Sequence, residues 1–392
     1  MIEALQMNNE VFTAWRRDIH RHPELGFEES RTANLVAEKL KAWGFDEVHT
    51  GIAKTGVVGV LRGSQLSSRT IGLRADMDAL QMDEANHFAH ASCHQGKMHG
   101  CGHDGHTAIL LATAWYMAQC RDFSGTVYFI FQPAEEGLGG AKVMIDEGLF
   151  ERFPCDRVYG LHNMPGIPQG EIWLREGPLL ASSDRFIIEI TGRGGHAALP
   201  HKAIDPTIVL SNIIMSAQTI VSRNTSPLES AVISFTDVHA GSGTHNVIPD
   251  QAFLKGCLRA FDEQIRQECV QRLRLLVEQI AASYGATAQL VVKPGSYPAT
   301  VNDKDAVALV TTVAKSVVGE GKVNPQCLPL SGSEDFSFML QQVPGCYVLV
   351  GNGSEGHEGG ICVHNPSYDF NDDIIPVGAS FFVGVIREEL PM

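Results

Sequence analysis

Lys97 to Ala108 reads "KMHGCGHDGHTA" and sets three histidines, a cysteine and an aspartate among glycines. By type, Cys101 with His99, His103 and His106 could hold a metal, or Cys101 could be a thiolate nucleophile beside an imidazole base. "RADMDAL" adds Asp76 and Asp78, "QPAEEG" adds the adjacent Glu135 and Glu136, and "HNMPG" adds His162. Adjacent buried carboxylates raise each other's pKa unless a cation shares their space. A metal removes that conflict and divides the labour, because one glutamate can hold the ion while its neighbour stays free as a base for water. Thiolate, imidazole and carboxylate together suit zinc, manganese, cobalt or nickel, and not calcium.

Each cluster also has a plainer reading. Free cysteine usually packs as a small hydrophobe, and paired glutamates usually sit on a solvated helix face. "GRGGHAALPH" reads as a glycine-rich turn with an exposed His196, and His20 and His22 in "HRHPELGFEE" as structural or surface groups. Two chemical rivals stand beside an open metal site. A cysteine nucleophile would need no neighbouring glutamate pair, and a structural zinc site would favour a closed, cysteine-rich tetrahedron.

The elements that would position these groups favour the open site. "NEVFTAWRRDIHRHPE" and "EESRTANLVAEKLKAWGF" have helical spacing, with Leu35, Val36, Leu40 and Trp43 on one face. The runs "GVVGVL", "TIGLRA", "GTVYFIFQ" and "RVYGLH" then read as buried strands alternating with the helical "DGHTAILLATAWYMAQC" and "GAKVMIDEGLF". That alternation predicts an α/β domain with a mostly parallel sheet, whose ligands gather beyond the carboxyl ends of its strands. The aspartate pair, the glutamate pair and His162 each follow a strand, and His99 to His106 lie on the loop entering a helix. From about Gly177 the order becomes β-α-β-β-α-β, the ferredoxin-like arrangement, and from about Gly295 the first rhythm resumes. The expected organisation is a catalytic domain over 1–181 and 294–392 interrupted by an inserted domain over 182–293.

A chain of 392 residues exceeds the usual span of one core, which agrees with two domains. Its 45 acidic against 30 basic residues, a net charge of -15, oppose binding to nucleic acid or anionic membrane. The N-terminal residues lack the basic start and apolar core of a signal peptide, and no stretch reaches membrane-spanning length. Nine scattered cysteines without a C-x-x-C pair make a disulfide framework unexpected and a reducing cytoplasm the expected location.

In order along the chain, "RDIHRHPELGFEE", "RADMDAL", "MHGCGHDGHTA", "FQPAEEG", "GLHNMPG", "GRGGHAALPHKAIDP", "THNVIPDQA", "SGSEDFSFM" and "VHNPSYDFND" resemble the peptidase M20 family from about Arg17 to Asp373. They are most similar to its amidohydrolase branch of hippurate hydrolases, N-acyl-amino-acid amidohydrolases and plant auxin-conjugate hydrolases. The resemblance implies a zinc-peptidase-like mixed sheet sandwiched by helices, with an inserted α+β ferredoxin-like domain serving as lid and dimerisation surface. It implies two divalent metal ions held by Cys101, His103, Glu136, His162 and His364, with Glu135 as general base and Asp78 orienting the site. His196 would reach the scissile carbonyl, often from the second subunit, and Asn246 and Arg259 would hold the substrate. Most of the family begin the site with H-x-D; here Asp76-Met77-Asp78 stands instead, and the resemblance to the amidohydrolase branch implies that Cys101 supplies the missing ligand. The implied reaction is hydrolysis of N-acyl amino acids, hippurate-like or N-acetylated, by a homodimer or dimer-based homo-oligomer formed through the inserted domain. A dipeptidase or carboxypeptidase, and a catalytically inactive metal-dependent binding protein, are the alternatives.

Overall fold

A computed structural model describes residues 2–392. The chain forms two compact units: one comprises residues up to Leu179 with Val301–Leu328 and Asp335–Met392, the other Leu180–Thr300 with Pro329–Glu334.

The first unit opens with α1 (Asn9–Arg21) and α2 (Ser30–Ala42), then β1 (Glu47–Ile52), β2 (Gly56–Arg62) and β3 (Gln65–Asp76). After a long loop come α3 (His103–Cys120), β4 (Ser124–Gln132), α4 (Gly140–Asp146), β5 (Arg157–Pro165) and the short β6 (Ile172–Trp173). β2 and the ends of β3 and β4 nearest the site are buried on both faces, which is why they read as unbroken apolar runs. α3 is apolar nearly all round, with His103 to Ala114 buried throughout, so it is a central helix and not an amphipathic surface one. It begins at His103 itself. His103 and His106 therefore occupy its first turn, not the loop expected from the sequence, and no side chain caps that end.

In the second unit the order is β7 (Asp184–Thr191), β8 (Gly195–His196), α5 (Pro206–Thr219), β9 (Ala231–Ala240), β10 (Val247–Ile248), β11 (Gln251–Ala260), α6 (Glu263–Ser283) and β12 (Thr287–Val292). Four strands pair in the order β9-β11-β7-β12, all antiparallel, and β8 pairs with β10 as a separate ribbon. Phe186, Ile188 and Ile190 alternate inward along β7 against Val209 and Ile213 of α5 and Leu273 and Val277 of α6. Both helices start on capping aspartates. Asp205 accepts from Thr207 N ahead of Pro206, and Asp262 accepts from Ile265 N.

The chain returns to the first unit with α7 (Lys304–Val318), β13 (Val323–Asn324), α8 (Phe336–Gln342), β14 (Gly345–Gly353) and α9 (Ile375–Glu389). The large sheet has the order β1-β2-β4-β3-β5-β14-β6-β13. β4, β3, β5 and β14 run parallel to one another through its middle; β2 is antiparallel to both β1 and β4 on one flank, and on the other β6 is antiparallel to β14 and parallel to β13. The sheet is thus mixed, because a turn of a few residues between β1 and β2 cannot make the crossover that parallel pairing requires. No helix among the described residues is long and apolar enough to cross a membrane.

Candidate metal centre

At the carboxyl ends of the parallel strands, the first unit gathers seven of the singled-out side chains. Asp76 ends β3 and Asp78 follows it; Glu135 and Glu136 follow β4; His162 lies within β5; Cys101 and His103 stand at the entry to α3. His364 arrives from the segment after β14, where its N–H donates to Gly100 O at 2.7 Å and its own backbone is left-handed, with φ 62°. A non-glycine residue seldom adopts that conformation. Gly102 cannot be replaced freely either: at φ +96° its added Cβ would lie 2.2 Å from Asn163 Oδ1.

The donor atoms fall into three overlapping groups, each within 4.8 Å: Cys101, His103 and His162; Cys101, Glu136 and His364; and His103, Glu135 and Glu136. Cys101 Sγ lies 3.4 Å from His162 Nε2. Neighbours fix both ring tautomers. His103 Nδ1 donates to Asp78 Oδ1 at 3.2 Å and His162 Nδ1 to Asn163 O at 2.6 Å, which turns each Nε2 toward the cluster. Asp78 also accepts the Glu136 N–H at 2.9 Å through its other oxygen, so one carboxylate orients two donors.

Charge and satisfaction test whether a cation fits. Buried His103 Nε2 and Glu136 Oε1 lack a hydrogen bond of good geometry, although His364 Nε2 lies 3.3 Å and His103 Nε2 3.9 Å from that oxygen. Orphaned polar atoms at a buried cluster require an explanation such as an ion. Hydrogen bonds to Cys101 and Glu136 push the His364 pKa up to about 10. Burial opposes protonation of His103, but Asp76, Cys101 and Asp78 outweigh it and hold that ring well above the usual histidine range. The cluster favours positive charge at its centre. His162 differs: burial, with His106 beside it, keeps it well below its ordinary value, so it is a neutral donor. A fourth group, Asp76, His103 and His106, fits an ion less well. Asp76 is already engaged by His106 Nδ1 at 2.6 Å and by the Arg74 guanidinium at 2.7 Å.

The remaining expected residues lie in the second unit. His196 and Val247 face each other across the β8–β10 ribbon, and Asn246 O accepts the Ala197 N–H at 3.0 Å, so His196 and Asn246 are neighbours. Both are exposed. Arg259, on β11, donates to Ser331 O at 2.9 Å. His99 is fully buried with both ring nitrogens unpartnered, and it belongs to none of the donor groups. His20 is buried as well, bonded to Asp104 at 2.8 Å and Glu84 at 3.1 Å. Burial alone would lower its pKa, but Asp104 and Glu84 push it up to about 9.

The sequence model of peptidase family M20/M25/M40 matches residues 72–388. The chain belongs to this family. It is 43% identical over 380 residues to a hippurate hydrolase of Campylobacter jejuni, covering 97% of this chain and 96% of the relative. An N-acetylcysteine deacetylase of Bacillus subtilis is 38% identical, covering 94% and 93%. Among solved structures, the YXEP protein of Bacillus subtilis, named as a dinuclear metal-binding peptidase of the M20 family, superposes with a TM-score of 0.82 at 33% identity over 98% of each chain. The M20 chain is therefore a hydrolase, and its fold is the mixed α/β architecture of that family.

The M20 site also holds residues that sequence reasoning passed over. Arg74 and Asp335 are fully buried behind the glutamate pair, although the motifs "RADMDAL" and "SGSEDFSFM" contained both. The one signal for Arg74 is a charge inside an otherwise apolar strand run; Asp335, in a polar stretch ahead of a short helix, has none.

Proposed function

We propose that this M20 hydrolase cleaves the amide bond of N-acyl amino acids, hippurate-like or N-acetylated, giving a carboxylate and a free amino acid. The observation that carries the reading is a buried general-base candidate, Glu135, beside two metal-ligand groups that share Cys101. The hippurate hydrolase and deacetylase relatives favour acyl amino acids as the substrate class.

Cys101, His103, Glu136, His162 and His364 would hold two divalent ions, of manganese, zinc, cobalt or nickel. When bound, the ions supply Lewis acidity toward an amide carbonyl and toward water. Glu135 takes a proton from water as it adds to the carbonyl, and returns it to the departing amine nitrogen. Asp78 keeps the His103 tautomer and the Glu136 loop in place. The Ala198 N–H donates to His196 Nδ1 at 3.1 Å, so the neutral ring carries its proton on Nε2, the tautomer that can donate to an oxyanion. Asn246 and Arg259 would hold the far end of the substrate. Glu135→Gln is expected to abolish turnover while metal content stays normal, measured by steady-state kinetics and elemental analysis; retained turnover would remove Glu135 from the base role.

The peptidase named in the Bacillus structure supports a second reading, a dipeptidase or carboxypeptidase. A panel of N-benzoyl and N-acetyl amino acids against dipeptides, run on enzyme stripped by chelator and reloaded with each metal, separates the two. The residues 182–293 would act as lid and dimerisation domain. Supporting this, β9 is a ten-residue strand at the edge of its sheet, with Val232 and Val238 exposed. All nine cysteines are free, which favours a reducing cytoplasm.

A further inference from the structure

The segment that carries Glu135 and Glu136 departs from regular backbone geometry. Ala134 has φ 57°, Gly137 φ 76° and Gly139 φ 72°, and Glu136 departs from helical geometry with ψ 74°. At Gly140 an added Cβ would stand 1.7 Å from Pro133 O, so the chain doubles back on itself there. A loop of this kind keeps its shape through outside contacts.

One buried carboxylate grips both of its ends. Asp335 Oδ1 and Oδ2 accept from Gln132 Nε2 at 2.8 and 3.0 Å, at the start of the loop, and Oδ2 accepts the Ala141 N–H at 2.9 Å, at its end. Between these points the Asp335 N–H donates to Glu135 Oε1 at 3.3 Å. Asp335 is itself fixed by Arg74, whose Nη2 donates to Oδ1 at 2.9 Å while its Nε donates to Gln132 Oε1 at 2.8 Å and its Nη1 to Asp76. The guanidinium also lies 5.7 Å over the Phe336 ring. Arg74 and Asp335 are 1% and 0% exposed. A fork with three acceptors in fixed directions, in a dry environment, is a rigid reference point.

We infer that Asp335, locked by Arg74, is the positioning residue that aims the Glu135 carboxylate, by clamping the Gln132–Ala141 loop at both ends and donating its own N–H to the base. This rests on Glu135 being the base. Asp335 touches no substrate and acts through Glu135. An asparagine at this position must turn an NH2 group toward either Arg74 or Ala141, so either the lock on the residue or the far attachment of the loop is lost with almost no change in volume.

The test compares Asp335→Asn with wild type by kinetics, metal content and crystallography. For Asp335→Asn the expected result is a kcat lower by about 10- to 100-fold with unchanged KM and a full metal complement. In the crystal, Glu135 should spread over more than one rotamer while Cys101, His103 and Glu136 stay in place. Should Asp335→Asn fail to fold, Gln132→Met removes the first attachment together with the Arg74 Nε acceptor, keeps the Ala141 attachment, and should show a smaller kcat loss of the same kind. A variant that folds, binds its metals and keeps wild-type kcat overturns the inference, as does a single unmoved Glu135 conformer. A loss of activity that only tracks lost metal or unfolded protein also overturns it. The crystallographic outcome stands whatever the substrate, whereas activity retained by Glu135→Gln refutes the base assignment and leaves the clamp geometry to be judged by the crystal alone.

Discussion

Among single residues, the division of labour between neighbouring carboxylates is set by what each one touches. Asp78 is fully engaged by two donors of the cluster, so its negative charge acts through His103 and Glu136. Asp78→Asn keeps the shape but weakens the hold on both. Metal affinity is expected to fall about 10- to 100-fold, as is common when a carboxylate behind a ligating imidazole is lost. A competition titration against a coloured chelator measures this, and an unchanged affinity would show that the imidazole needs no such support. The sequence made the candidate ligand types legible because a glutamate pair after a strand and a cysteine among histidines at a helix entry are unusual. His364 had no such signal in its own stretch and entered only through family resemblance. Arg74 and Asp335 lie 261 residues apart and meet only in the fold, so no local pattern could pair them.

The loops between elements hold the site, and the glycine ahead of α3 shows the constraint. Gly102→Ala forces both a left-handed backbone and a close approach to Asn163, so a stability loss of about 1–3 kcal/mol is expected together with reduced metal content. Thermal unfolding and elemental analysis read the two effects separately. The sequence put α3 in the right place but not its first residue, since the helix starts without the capping side chain by which starts are recognised. Beside the Glu135–Glu136 segment, Glu29 ties the start of α2 to Thr55 and to Ala134 N. Burial pushes its pKa up from 4.5 to about 7, against the hydrogen bond from Thr55 and with the help of Asp78. The folded chain therefore holds this proton more tightly than the unfolded one. The stabilisation is complete below about 4.5 and is lost as pH rises through about 7. Between these limits, wild type should lose on the order of 3 kcal/mol relative to Glu29→Gln in denaturant unfolding curves. Parallel pH profiles of the two proteins would show that Glu29 is not the titrating group.

Across the whole molecule, the two units have separate cores, and the sequence proposes two domains through the change in element order near Gly177. The long edge strand β9 is the surface on which a second copy is proposed to pair. Lysines at Val232 and Val238 should turn a dimer into a monomer in sedimentation experiments without altering the fold of the unit, since charge at a sheet edge blocks strand addition. A dimer unaffected by both lysines would place the interface elsewhere.

The return of Pro329–Glu334 to the second unit gives the insert an unusual kind of attachment. Leu330 O accepts the Ala181 N–H at 3.0 Å, Ser331 O accepts from Arg259, and the next crossing of the chain ends at Asp335. The insert is therefore stitched into its host at two places along the chain. Joining residue 179 to 301 would remove Ala181 and Arg259, the donors to Leu330 O and Ser331 O. A shortened, single-domain descendant of this enzyme could not arise by one clean deletion; it would need a second, coordinated change near residue 330.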